Sequence, residues 1–201
     1  MFIELPLGKK PGTERTGWIE VIAGCMFSGK TEELIRRLNR AKIAKQRVEI
    51  FKPVVDKRYH HEMIVSHNEN SIRSTPVNFA NDIYLLAGDC DVVGIDEAQF
   101  FDSSIVEVSN KLANSGKRVI IAGLDMDYEG RPFGPMPQLL AVAEFVTKVH
   151  AICARTGDLA SFSFRLTNDD NQVMLGEKAV YEARSRRSFN AGMKEKKERK
   201  Q

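Results

Sequence analysis

The sequence predicts an α/β protein: a parallel sheet with helices on both faces, followed by a small β-rich lobe. Three observations predict it. An apolar segment, a glycine-bearing turn and a helical segment follow one another over residues 18–45. Apolar, β-branched runs then alternate with helix-patterned segments as far as residue 152. From Cys153 to about residue 190 the pattern changes to short alternating stretches with no long helix.

Taken in order, residues 1–17 mix Gly, Pro, Lys and Thr without a period and read as a flexible leader. Residues 18–23 (W-I-E-V-I-A) read as a buried strand, and residues 31–45 place Leu34, Leu38 and Ala41 on one helical face. Residues 48–51 form a strand stopped by Lys52-Pro53, and residues 54–75 are polar and irregular, a long loop with lid character. Asp82 is placed to cap a short helix over Ile83, Leu85 and Leu86. Residues 91–96 (D-V-V-G-I-D) are an apolar strand ending in acid. Ser103 or Ser104 caps a helix that Ser115-Gly116 stops. Residues 117–124 are another buried strand, 130–137 a loop with two glycines and three prolines, 138–144 a helix and 145–152 a strand. Strands separated by helices imply right-handed crossovers, so the domain over 18–152 is a parallel sheet. Residues 153–190 make the lobe, with β-like stretches at 161–164, 172–175 and 179–181, and residues 191–201 a basic, disordered tail.

Composition narrows the class. At 201 residues, 42% hydrophobic and 28% charged, the chain has material for one sizeable core and a small lobe. No apolar run approaches a membrane span, and Met1-Phe2-Ile3-Glu4-Leu5-Pro6 lacks a basic start followed by a long apolar core; the expectation is a cytoplasmic protein. The net charge of +3 is carried by Lys194 to Lys200 (K-E-K-K-E-R-K), which leaves the body near neutral and argues against dedicated nucleic-acid binding. Cys25, Cys90 and Cys153, odd in number and widely spaced, make no disulfide framework. Cys25 reads as a small filler beneath its turn.

Chemistry enters at residues 24–31, G-C-M-F-S-G-K-T, which fits the phosphate-binding loop G-x-x-x-x-G-K-[ST]. Glycines let the backbone curl so that successive N–H groups face phosphate oxygens, and the following helix turns its positive end to the same anion. Lys30 is placed to reach the outer phosphates and Thr31 to offer a hydroxyl to Mg2+. The second signal is V-V-G-I-D-E-A-Q-F-F over residues 92–101. Asp96, delivered by a buried strand to the sheet's C-terminal edge, suits magnesium; its neighbour Glu97 points elsewhere and suits proton transfer. An acid there polarises water in an ATPase or a substrate hydroxyl in a kinase, and the pair alone does not choose.

The order of four motifs resembles the type II thymidine kinase family (cellular, bacterial and poxviral). They are M-F-S-G-K-T at 26–31, D-E-A-Q-F-F at 96–101, Leu124-Asp125 with R-P-F-G at 131–134, and Y-E-A-R at 181–184. The likeness runs from about Gly17 to Phe189. It implies a P-loop, RecA-like sheet and transfer of the γ-phosphate of ATP to the 5′-hydroxyl of thymidine, and less well deoxyuridine, in deoxynucleoside salvage for DNA synthesis. It implies Glu97 as general base, with Asp96 and Thr31 on magnesium. ATP contacts would come from Gly24, Cys25, Met26, Phe27, Ser28, Gly29, Lys30, Thr31, Asp96, Glu97, Ala98 and Gln99. Nucleoside contacts would come from Met26, Phe100, Leu124, Tyr128, Phe133, Ser163, Met174, Gly176 and Tyr181. Arg58, in the long loop, would neutralise transition-state charge. A homotetramer and feedback inhibition by dTTP also follow from the resemblance.

Three departures stand out. Tyr128 replaces the family's usual Phe, and Ser163 a common Thr, which removes a methyl that crowds the base. The third is larger. The family's two C-x-x-C pairs hold a structural zinc, but here those positions read Cys153-Ala154-Arg155-Thr156 and Ser185-Arg186-Arg187-Ser188. One thiol with hydroxyls is a poor zinc set, and His60, His61, His67 and His150 lie elsewhere, so no structural zinc is expected. Packing of Phe162, Phe164, Val180 and Phe189 is expected to hold the lobe instead.

Overall fold

A computed structural model describes residues 16–54, 63–65, 71–167 and 180–198. In chain order its elements are β1 (Trp18–Gly24), α1 (Lys30–Ile43), β2 (Val48–Pro53), β3 (Met63–Val65), β4 (Ser71–Arg73), β5 (Thr75–Val77), α2 (Ala80–Leu86) and β6 (Val92–Ile95). A 3-10 turn (Ala98–Phe100) follows, then α3 (Ser104–Asn114), β7 (Arg118–Leu124), α4 (Met136–Val142) and β8 (Phe145–Lys148). The lobe holds β9 (Ala151–Ile152), β10 (Leu159–Ala160), β11 (Phe162–Arg165), β12 (Tyr181–Arg184) and α5 (Arg186–Glu198).

Six strands pair in parallel in the order β5-β2-β6-β7-β1-β8. A parallel sheet is covered on both faces, so its central strands are continuous apolar runs rather than alternating ones. On one face α1 packs Leu34, Ile35, Leu38 and Ala41 against Ile22, Ile50, Val92 and Ile120. On the other, α2, α3 and α4 bring Ile83, Ile105, Val108, Leu112, Met136 and Leu139 onto Val21, Val93, Ile95 and Ile121. Each such buried Leu, Ile, Val or Met side chain stabilises by about 1.5–3 kcal/mol. The register sets Gly24 beside Leu124 and Phe51 beside Ile95. The turn after β1, the acid after β6 and the end of β7 therefore meet at one edge, the C-terminal edge at which α/β sheets bind ligands.

A buried ion network sits elsewhere on the same strands. Glu20 accepts from Arg37 Nη1 at 2.8 Å, Arg118 Nε at 2.6 Å and Trp18 Nε1 at 2.7 Å. Arg37 also donates to Glu33 at 2.8 Å and to Thr147 at 3.0 Å, so α1, β1, β7 and β8 share one set of charges.

Several expectations are corrected. The 54–75 segment is not one irregular loop: β3 and β4 pair in antiparallel fashion and β5 joins the main sheet. Asp82 is not the cap of α2 but its third helical residue, its carboxylate accepting from Phe79 N at 3.1 Å. Ser103 is the N-cap of α3 as expected, but its side chain makes no capping bond; Asp102 Oδ1 accepts from Ser104 N at 2.8 Å instead. α4 starts two residues earlier than the apolar pattern suggests, because its prolines fit a first helical turn, whose N–H groups need no intrahelical partner. The 145–152 stretch divides: β8 stays in the sheet and β9 leaves to pair with β10. The last β-like stretch falls at Tyr181–Arg184, pairing with β11, rather than at 179–181, and residues 172–175 lie outside the described residues. Residues 191–198 are not disordered but belong to α5. The packing expected of the lobe is present in Phe162, Phe164 and Phe189, which form one buried cluster, while Val180 contributes its carbonyl to Leu166 N at 2.8 Å. Among the described residues no helix is long and apolar enough to cross a membrane.

Candidate active site

The loop between β1 and α1 is shaped by two left-handed residues, Phe27 (φ 64°) and Gly29 (φ 84°). Gly29 adopts this conformation without a Cβ penalty, whereas Phe27 holds it at a cost of about 1–2 kcal/mol. Cys25 O accepts from Ser28 Oγ at 2.7 Å and from Lys30 Nζ at 2.8 Å, which draws the ammonium under the loop. Burial holds the Lys30 ammonium below its ordinary value of 10.5; the charges of Glu97, Cys25, Asp96 and Asp125 oppose that shift. A cleft of about 390 Å³, measured out to solvent, is lined by Met26, Phe27, Ser28, Gly29, Lys30, Thr31, Glu32, Glu97 and Leu124.

Asp96 is buried just past β6, its N donating to Phe51 O at 3.0 Å. Its Oδ1 accepts from Glu97 N at 2.9 Å. Glu97 itself is left-handed (φ 51°), a non-glycine conformation that costs about 1–3 kcal/mol and recurs at functional sites. That turn swings its side chain away from Asp96 and into the cleft. Gln99 braces it: its amide Nε2 donates to Glu97 Oε2 while its Oε1 accepts from Leu124 N at 2.9 Å. One buried side chain therefore ties the acid after β6 to the end of β7.

An apolar corner adjoins this. Phe100 and Phe133 meet edge to face, with centroids 5.7 Å apart, and Phe133 N donates to Asp125 O at 3.1 Å. The lobe closes the other side: Ser163 Oγ accepts from Met26 N at 2.9 Å, directly on the phosphate loop. Beyond it Arg165, fully buried, lays its guanidinium 3.7 Å over the Tyr128 ring and donates to Tyr181 Oη at 2.7 Å.

Most of the expected positions thus converge: the whole 24–31 loop, Asp96, Glu97, Gln99, Phe100, Leu124, Phe133, Ser163, and the Tyr128 and Tyr181 pair. Cys25 offers only main chain, since its buried thiol packs with Ala151, Cys153, Ala160 and Ala183. Ala98 is buried in the core beneath the cleft rather than lining it. Arg58, Met174 and Gly176 lie outside the described residues.

One residue escapes the sequence reading, and a second, Asp125, is read there only as part of a motif. Arg165 shows only as a charge in an alternating strand, and its partners are brought by β12 and the 124–134 loop. Asp125 is buried with Lys148 Nζ 2.8 Å from its Oδ2, and among the described residues its Oδ1 has no hydrogen-bond partner. At the position of the family's zinc thiols, burial pushes the Cys153 thiol up. Hydrogen bonds from the Thr156 hydroxyl and from the backbone of Ser185, Arg155 and Thr156 outweigh this together and bring it to about 6.

The sequence matches the thymidine kinase family model over residues 17–189. The chain is 59% identical over 187 residues to the thymidine kinase of Bacteroides fragilis, covering 93% of this chain and 94% of that one. It is 62% identical over 177 residues to that of Bacteroides thetaiotaomicron (88% and 89% covered) and 64% identical over 173 residues to that of a Rhodothermus species (86% and 81%). With a family match spanning nearly the whole chain, and a phosphate loop that shares one cleft with Glu97 and Leu124, the chain belongs to the thymidine kinase family.

Proposed function

We propose that this chain transfers the γ-phosphoryl group of ATP to the 5′-hydroxyl of thymidine, giving dTMP and ADP, and accepts deoxyuridine by the same route. The observation that carries this reading is the lining of one cleft by Lys30, Glu97 and Leu124 together: a polyphosphate anchor, an acid and the edge of an apolar corner. The loop N–H groups and Lys30 bind the β- and γ-phosphates. The 5′-oxygen attacks the γ-phosphorus, the bond from phosphorus to the β–γ bridging oxygen breaks, and ADP leaves. The hydroxyl proton passes to the Glu97 carboxylate, which Gln99 holds in place. Met26, Phe100, Leu124, Phe133, Ser163, Tyr128 and Tyr181 surround the base, with aromatic faces for the pyrimidine and Met and Leu for its methyl.

The donors fit magnesium: the Thr31 hydroxyl on the cleft wall and the buried Asp96 carboxylate are hard oxygen ligands. Bound there, the ion would supply neutralisation of phosphate charge. A nucleotide carrying both thymine and a triphosphate spans the base corner and the phosphate loop at once, which supports inhibition by dTTP. Exposed Phe79, Leu85 and Leu86 on and beside α2 leave apolar area for self-association, and the resemblance makes the assembly a homotetramer. Salvage of deoxynucleosides in the cytoplasm is the setting this activity suits.

A substrate panel tests the reading: thymidine, deoxyuridine, deoxycytidine and purine deoxynucleosides, each with ATP and magnesium. Phosphorylation of thymidine and deoxyuridine is expected. Equal use of purine deoxynucleosides would contradict a corner shaped for a pyrimidine.

A further inference from the structure

The two faces of β11 do different things. Ser163 and Arg165 face the phosphate loop and the tyrosine pair; Phe162 and Phe164 face the other way. α5 covers that second face. The Phe189 ring stacks on Phe162 at 4.6 Å and meets Phe164 edge-on at 6.0 Å. At Gly192 a Cβ would stand 1.9 Å from Arg184 Nη1 and 2.8 Å from the Phe164 ring, so the helix backbone rests directly on the ribbon. One turn on, Lys196 Nζ donates to Arg165 O at 2.5 Å and to Thr167 O at 2.8 Å. The start of α5 also occupies residues 186–188, within the stretch where the family carries its second thiol pair.

We propose that α5 is a metal-free clamp on the nucleoside-binding ribbon, with Phe189 and Lys196 as positioning residues that set thymidine affinity through β11. Lys196 grips the carbonyl of the residue whose guanidinium lies on Tyr128 and holds Tyr181 Oη. Two residues earlier on the same strand, Ser163 bonds the phosphate loop. A shift of the β11 backbone therefore moves the base-facing walls together, while α1, Lys30 and the acid pair stay on the main sheet. A helix that merely decorated the surface would leave its lysine in water. This one donates to two main-chain carbonyls, one in β11 and one just past it.

The inference rests on the pocket reading above, and the test separates the two. Steady-state kinetics are measured on the full-length chain well below each variant's melting temperature. Lys196→Met is expected to raise the thymidine KM about tenfold, for loss of two charge-assisted hydrogen bonds, with ATP KM and kcat within about twofold. Lys196→Arg, which keeps donors at that place, restores most of it. Phe189→Leu, milder than a truncation, raises the thymidine KM in the same selective way and serves if Lys196→Met does not fold. Ser163→Ala is the control for the pocket: an unchanged thymidine KM there would remove the pocket reading itself. A raised KM in Ser163→Ala beside an unchanged one in both α5 variants overturns the clamp alone. So does a lowered melting temperature with no change in thymidine KM, or a wild-type thymidine KM that rises when a zinc-selective chelator is added.

Discussion

Replacing Glu97 by Gln isolates proton transfer from everything else the residue does. Its carboxylate accepts from Gln99 Nε2, and Gln99 in turn holds Leu124 N at 2.9 Å. The amide oxygen of Glu97→Gln still accepts that bond, and the backbone donor to Asp96 is unchanged. The brace therefore survives while the base is lost. General-base catalysis contributes about 10²–10⁴-fold, so kcat falls by that factor, a barrier increase of about 3–5 kcal/mol. Both KM values stay within about twofold. Glu97→Ala does more: it releases Gln99, loosens Leu124 by about 1 kcal/mol and adds roughly a fivefold rise in thymidine KM. Rapid-quench turnover with both substrates saturating measures the first effect, and initial rates over a thymidine series the second. A Glu97→Gln enzyme turning over within about threefold of wild type would refute the assignment of the base.

Three further outcomes follow from the same geometry. Because burial holds Lys30 below 10.5, its proton leaves at lower pH than for an ordinary lysine; ATP affinity by calorimetry should weaken as pH rises through that depressed value, and affinity unchanged up to 10.5 would contradict it. The Cys153 thiol, near 6 in the fold against 9.0 unfolded, contributes stability in full above 9.0 and loses it as pH falls through about 6. Denaturant unfolding should show stability rising between those limits, and Cys153→Ser should flatten the rise. Arg37→Met leaves Glu20 with one arginine inside the sheet; removing a partner from a buried ion set costs about 3–5 kcal/mol, read from the unfolding midpoint by fluorescence of Trp18, whose indole bonds Glu20 at 2.7 Å.

The parallel sheet was legible because its strands are buried on both faces and so read as unbroken runs, as in V-I-I-A-G-L at 119–124. The phosphate loop was legible because its chemistry is local: eight consecutive residues carry the glycines, the lysine and the hydroxyl. What stayed hidden depends on distant partners. Gln99 becomes a brace only when the ends of β6 and β7 are neighbours, and Arg165 only when Tyr128 and Tyr181 arrive from either side. α5 is a different case. Its polar, lysine-rich composition pointed to a solvated end, yet Phe189, Gly192, Met193 and Lys196 recur at the spacing of one helical face, and each touches the ribbon. Composition masked a periodicity that was present. β3 was missed for the opposite reason: three apolar residues are too short a run to show a period.

The central claim is that one cleft holds a nucleoside triphosphate and a pyrimidine nucleoside so that phosphorus passes directly between them. Incubation with ATP labelled in its γ-phosphoryl group, with thymidine and magnesium present, measures this. The label should appear in dTMP in equal amount to the ADP formed. Label released as free phosphate at the same rate with or without thymidine would contradict it.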